Sequence, residues 1–182
     1  EALFRLNFDG DIRYNRVAEG LPTPSGKIEI HSQAFKDQGL DPYPVYVDRS
    51  VYPDDEYPLN VTHSKLSMHC NIVTQNNPYL MEIVGENWVE IQTKDALKYG
   101  ITDGSRVVVE SPKDNITILA KVVEGLVPGT VCIRHGHGFG HWAMGSVAKG
   151  KGAHSNVLMD RHTSPISGAN CYNECKVRVR PA

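Results

Sequence analysis

From Trp88 to Arg134 the chain reads as short strands punctuated by turns, and this run limits the possible fold more than any other stretch. The segment WVEIQ at 88–92 forms a strand. Thr93 then supplies an N-cap oxygen for a short helix running to Tyr99, which Gly100 stops, with Ile101 placed for the apolar contact beyond the cap. An Asp103-Gly104 turn leads into Ser105–Ser111, where Val107 and Val109 share one face and Arg106, Val108 and Glu110 the other. After a turn at Pro112–Asn115, Ile116, Ile118, Ala120 and Val122 alternate along the next strand. Pro128-Gly129 turns the chain into a further strand, Thr130–Arg134. A period of two means strands with one face buried, so the expected fold is mainly β with short helices, closed as a barrel or stacked as a sandwich.

The flanking sequence is less regular. Leu59–His63 is a β-prone run, Ser64–Asn77 is polar and aperiodic as a loop would be, and Lys176–Arg180 alternates as a last strand. Residues 1–57 are rich in Pro, Tyr and Asp and read as an extended lead-in packing on the barrel or on a preceding domain, with residues 58–182 as the barrel domain. Within the lead-in, Lys27–His31 (KIEIH) alternates as a short strand would, and Ser32 caps a helical turn or two ending at Gly39.

Charge and cysteine usage exclude several classes of function. Lys and Arg number 19 against 21 Asp and Glu, a formal net charge of -2, and no basic run exists to follow a phosphate backbone, so no nucleic-acid partner is expected. No stretch approaches the roughly 18 apolar residues of a membrane helix, so no direct membrane insertion is expected. The sequence begins at Glu1 without a recognisable signal; residence in a bacterial or archaeal periplasm, at the cell exterior or in the cytoplasm depends on an N-terminal signal not in these residues. Cys70, Cys132, Cys171 and Cys175 contain no CxxC pair, which argues against a zinc ribbon or iron–sulfur cluster held by this segment alone and for scattered buried thiols.

Chemistry concentrates in RHGHGFGHWAMG, Arg134–Gly145, which holds three of the eight histidines and four glycines. His135, His137 and His141 suggest zinc. However, the intervening glycines prevent the helix on which paired zinc histidines usually sit, and no carboxylate lies in the loop. The same glycines let backbone approach a ligand closely, and Trp142 could stack on a ring, while Trp88 more simply fills the core. The stretch VTHSKLSMHCNIVTQNNP offers many neutral donors and acceptors, which suit a polar heterocycle as well as a solvated loop. Lys149 and Lys151 between glycines could approach phosphate, although two lysines in such a segment are more often merely solvated. The dinucleotide fingerprint, the P-loop and the nucleophile elbow are all missing.

Taken in order, WVEIQTKDALKYGITDGSRVVVESPKDNITILAKVVEGLVPGTVCIRHGHG resembles the C-terminal molybdopterin dinucleotide-binding domain of molybdenum and tungsten oxidoreductases of the dimethyl sulfoxide reductase family. Asp95, Ala96, Gly100, Ile101, Asp103 and Gly104 match its D-A-x-x-x-G-I-x-D-G signature. TPSGKIEI, THSKLSMHCNIVTQNNPYL, GKGAHSNVL and SGANCYNECKVRV resemble the family's entry segment, first ligand loop, closing loop and last strand. Two positions depart from the pattern: Asp114 stands where Gly is usual, and His154-Ser155-Asn156 replaces N-x-N, so only Asn156 carries over.

The resemblance implies a double-psi β-barrel of the aspartate decarboxylase-like kind that binds molybdopterin guanine dinucleotide. It implies cofactor contacts at His63, Ser64, Ser67, Met68 and His69 from one loop. From the other side come His135, Gly136, His141, Trp142, Asn156 and Asn173. The catalytic metal, Mo or W, and an iron–sulfur cluster would be held by preceding domains of the same polypeptide, with an iron–sulfur electron-transfer subunit as partner, and no catalytic residue or metal ligand is expected here. The wording of the last segments is similar to polysulfide, thiosulfate, tetrathionate or arsenate reductases, although formate dehydrogenases and nitrate reductases share the barrel. The rival reading is a free-standing zinc- or small-molecule-binding barrel built on the His-rich loop.

Overall fold

In a computed structural model the described residues are 20–140, 144–164 and 166–182. The chain divides between Asp48 and Arg49 into two compact units. In the first, Ser32 caps α1 (Gln33–Asp37) by accepting from the Phe35 amide at 3.3 Å, and Gly39 leaves the helix with φ +74°. Both ends agree with the sequence reading. Lys27–His31 does not form the expected strand. Its Ile28 and Ile30 are 83% and 73% exposed, and among the described residues of its unit no second strand covers a face of the alternation.

The second unit is a closed barrel of six strands: β1 (Leu59–Ser64), β2 (Trp88–Gln92), β3 (Arg106–Glu110), β4 (Asn115–Val123), β5 (Thr130–Arg134) and β6 (Lys176–Pro181). Around the barrel the order is β1-β5-β2-β4-β3-β6, and the sheet closes where β6 pairs with β1. Two neighbouring pairs are parallel, β1 with β5 and β2 with β4, and the other four are antiparallel. This mixed, closed barrel is the double-psi β-barrel that the family resemblance implies. Val61, Val89, Ile91, Val107, Val109, Ile118, Ala120, Val131, Ile133 and Val177 point inward and are all but inaccessible. Each such Val or Ile contributes about 1.5–3 kcal/mol by leaving water, and β-branched side chains suit the pleated wall.

The β3–β4 hairpin is set by Ser111, whose hydroxyl accepts from the Lys113 and Asp114 amides at 3.1 and 3.2 Å. Asp114 needs no left-handed backbone, since Asn71 is the one described non-glycine residue with positive φ. Between β2 and β3, α3 (Thr93–Tyr99) ends on Gly100 at φ +67°, with the Ile101 amide donating to the Ala96 carbonyl at 2.8 Å. The cap at its start is Gln92, not Thr93: the Gln92 side chain accepts from the Lys94 amide at 2.5 Å, while the Thr93 hydroxyl donates to Glu124 at 2.7 Å. Helix α2 (Pro78–Ile83) is capped by Asn77 and has Pro at its first position. Asp95, from the D-A signature, is buried and accepts from the Gly129 amide at 2.7 Å, tying α3 to the turn before β5.

Two further expectations are corrected. Trp88 lies on the barrel wall, half-buried between Lys121 and Arg134, whose cationic groups sit 5.0 and 6.0 Å from its ring; neighbouring strands already fill the interior. Of the cysteines, only Cys132 and Cys175 are buried, Cys70 is exposed, and all four are free thiols. Among the described residues no helix is long and apolar enough to cross a membrane.

Candidate functional site

Parallel neighbours end at the same rim, so the pairing of β1 with β5 decides where the two chemistry-rich loops meet. His63 lies opposite Ile133 and Ser64 opposite Arg134, so the loops beginning at Lys65 and His135 leave side by side. Arg134 is fixed there by its Nη2 and Nε, which both donate to Glu90 Oε1, at 2.6 and 3.1 Å. From the start of β2, fully buried Asn87 donates to the Arg134 carbonyl at 2.6 Å and the Ala153 carbonyl at 2.9 Å, and accepts from the Ala153 amide at 2.8 Å. One side chain thereby clamps a third loop, Gly150–Asn156, to the same rim.

Close backbone contact joins that loop to the His-rich one. The Gly138 amide donates to the Lys151 carbonyl at 2.9 Å, and a Cβ on Gly138 would lie 2.2 Å from the His154 amide nitrogen. Gly138 also has φ +82°, so both space and backbone conformation select glycine here.

The three loops enclose a cavity of about 260 Å3 lined by His63, Asn71, Ile72, His135, Gly136, Phe139, His154, Ser155, Asn156 and Tyr172. Asn71, at φ +50°, turns its side-chain oxygen to His135 Nε2 at 2.8 Å. His63 Nδ1 meets the Asn173 oxygen at 3.3 Å and its ring faces Tyr172 at 5.6 Å, while its buried Nε2 has no hydrogen-bond partner. Phe139 and His154 meet with ring centroids 4.1 Å apart and planes tilted by 50°. Burial holds the imidazoles of His63, His135 and His154 below their ordinary pKa, so all three are neutral near pH 7; for His63 the Asn173 contact opposes the shift, and for His135 the Lys65 charge adds to it. Among the described residues the lining contains no carboxylate. Neutral donors and acceptors, stacking faces and an orphaned imidazole nitrogen suit a flat, polar heterocycle.

The structure separates the residues expected from the sequence. His63, His135, Gly136 and Asn156 line the cavity, and Asn173 orients His63. Ser64 sits beneath the rim, 3.1 Å from the Cys132 sulfur, and Ser67 and Met68 are exposed outside the lining. His69 turns inward to the Val84 carbonyl at 3.1 Å and Thr74 at 3.3 Å, with its ring edge-on to that of His137, 5.4 Å away. His135 and His137 therefore have separate surroundings. His141 and Trp142 lie outside the described residues. The lining members not anticipated are Asn71, Ile72, Phe139, His154, Ser155 and Tyr172. The HSN and CYNEC segments signalled some of them, but which side chains converge depends on the register.

A larger depression of about 760 Å3 is lined by residues 150–152 together with Trp88, Glu86 and Arg106. It is shallow, and Arg106 is paired with Glu86 at 2.8 Å. The convergence of neutral polar groups, with the orphaned His63 Nε2 among them, favours the smaller cavity as the recognition site.

Comparison with known proteins gives the family: the chain belongs to the molydopterin dinucleotide binding domain family, whose model matches residues 59–176. It is 33% identical over 184 residues to dimethyl sulfoxide reductase DmsA of Escherichia coli, covering 92% of this chain and 22% of that protein. It is 30% identical over 159 residues to probable oxidoreductase YoaE of Bacillus subtilis, covering 87% of this chain and again 22% of the relative. The thiosulfate reductase subunit PhsA of Salmonella typhimurium is 31% identical over 88% of the chain. The chain thus spans about a fifth of the length of these relatives. In fold it is similar to acetylene hydratase from Pelobacter acetylenicus, with a TM-score of 0.75 at 19% identity over 90% of this chain and 24% of the other.

Proposed function

We propose that this chain is the C-terminal cofactor-binding domain of a larger molybdenum oxidoreductase catalytic subunit, and that the rim cavity holds one heterocyclic end of molybdopterin guanine dinucleotide. The observation that carries this is the meeting of His63, His135, Asn156 and Tyr172 in one cavity without a charged group. His63 and His135 present neutral ring nitrogens, Asn156 an amide, and Tyr172 a stacking face. When bound, the cofactor supplies the metal centre for two-electron chemistry, often with oxygen-atom transfer. The residues of this chain bind it, orient it and exclude water from its edge.

At about 260 Å3 the cavity falls below the roughly 300–1,000 Å3 of complete small-molecule sites, so the remainder of the cofactor lies against preceding domains of the same polypeptide. Those domains hold Mo or W and an iron–sulfur cluster, and electrons pass through an iron–sulfur partner subunit. Similarity to dimethyl sulfoxide reductase DmsA and thiosulfate reductase PhsA supports a substrate among the small oxides and oxyanions of sulfur.

The test is pterin content per polypeptide, read as fluorescence after oxidative release, in the full-length protein carrying His63→Ala and Asn156→Ala. Each lost hydrogen bond, at about 0.5–1.5 kcal/mol, lowers retention roughly two- to tenfold. Unchanged pterin content in the double variant, with the barrel still folded by circular dichroism, would refute the assignment.

A further inference from the structure

Among the described residues, three metal-ligating side chains converge that the cofactor reading does not use: His162, Cys171 and Glu174. One ligand atom from each lies within 4.8 Å of the other two. Local backbone structure brings them together. An antiparallel bridge pairs Thr163 with Asn170, and the Cys171 amide donates to the His162 carbonyl at 2.9 Å, so His162 and Cys171 sit at the open end of one small hairpin. A turn follows in which the Glu174 amide donates to the Cys171 carbonyl at 2.8 Å, carrying the carboxylate back over the thiol.

Glu174 is held in place from outside the hairpin. Its Oε2 accepts from the Ser50 amide at 3.2 Å and the Ser50 hydroxyl at 3.1 Å, and lies 3.2 Å from His162 Nε2. The Ser50 hydroxyl also reaches His162 Nε2 at 2.8 Å. Nitrogen, sulfur and carboxylate oxygen therefore converge with a hydroxyl at a fourth corner.

We propose that His162 Nε2, Cys171 Sγ and the Glu174 carboxylate bind one Zn2+, with Ser50 Oγ or a water completing a tetrahedron. Zinc takes nitrogen at about 2.0 Å and sulfur at about 2.3 Å, which places tetrahedral ligand atoms roughly 3.3–3.6 Å apart. The trio thus closes by about an ångström at its widest separation, within the reach of side-chain rotation. Thiolate and carboxylate neutralise the ion, the thiol proton leaves to solvent, and the borderline donor set selects zinc over magnesium or calcium. Cys175, the other member of C-x-x-x-C, is turned away with its sulfur on the Leu158 carbonyl at 3.4 Å.

The ion would join the two ends of the segment that carries Tyr172 and Asn173. Tyr172 lines the rim cavity and Asn173 orients His63, so zinc would hold that wall in place. The metal site itself stands on its own ligands, whatever ligand the cavity takes.

Elemental analysis of the full-length protein, dialysed against a weak chelator, tests this. About one zinc per chain is expected in the native protein and in Cys70→Ser, falling to background in Cys171→Ser and His162→Ala. Equal zinc in native and Cys171→Ser proteins would overturn the proposal, as would no retained zinc in the native protein. Should the variants fail to fold, alkylation of the native protein read by peptide mass spectrometry decides. Cys171 should be protected in zinc and modified at least tenfold faster after chelation, while exposed Cys70 reacts in both. Equal rates at Cys171 would overturn the site.

Discussion

Acid should loosen this barrel through His137 more than through any histidine at its surface. The ring is 1% exposed, and neither nitrogen finds a well-formed hydrogen bond. Burial lowers its pKa from 6.5 to about 4, the nearby His69 adds to the shift, and Glu86 and the Val84 carbonyl only partly oppose it. In the unfolded chain His137 takes up a proton near pH 6.5, whereas the folded chain resists until about pH 4. The unfolded state therefore binds more protons across this window, and stability falls as pH falls through it. With those two values, the loss from pH 8 is about 2 kcal/mol at pH 5 and about 3 kcal/mol at pH 4.

Replacing the imidazole in His137→Leu removes the ionisable group, and with it that part of the acid slope. Hydrogen exchange of the β5 amides Val131, Cys132 and Ile133, corrected for intrinsic rates, reads the opening free energy in place. The difference between native and variant proteins should change by about 2 kcal/mol between pH 8 and pH 5. Parallel pH dependences in the two proteins would show that His137 is not held neutral by its surroundings.

Two further outcomes follow from the rim. Asn87→Leu leaves the Arg134 and Ala153 backbone groups unpaired and should cost at least about 2 kcal/mol in urea denaturation, with loss of cofactor. Gly138→Ala should destabilise the loop pair and lower cofactor content, because its Cβ would overlap the Ala153–His154 backbone; Gly140→Ala, which meets nothing within 4 Å, should behave as the native protein in both assays.

The barrel strands were legible because their pattern is local: alternating β-branched residues, a Gly stop at Gly100 and turns at Asp103-Gly104 and Pro128-Gly129 suffice to place them. Lys27–His31 shows the limit of that signal, since alternation makes a strand only where a neighbour covers one face. The helix start slipped by one residue because Gln92 and Thr93 both offer a capping oxygen, and the proximity of Glu124 to Thr93 decides between them. The site was legible in part. Its loops are identifiable from composition, yet His63 and Ile133 are 70 positions apart, and only the parallel β1–β5 register brings their loops to one rim. The same dependence on register hid Tyr172 and His154, while His69 turns inward on the Val84 carbonyl and accompanies His137.

The most direct test of the cofactor assignment is a density map of the full-length protein with its cofactor bound. The account predicts a pterin or guanine ring in the cavity, within hydrogen-bond reach of His63, His135 or Asn156 and beside Tyr172. A cofactor wholly outside this cavity, with no ring contacting any of these four residues, would contradict it.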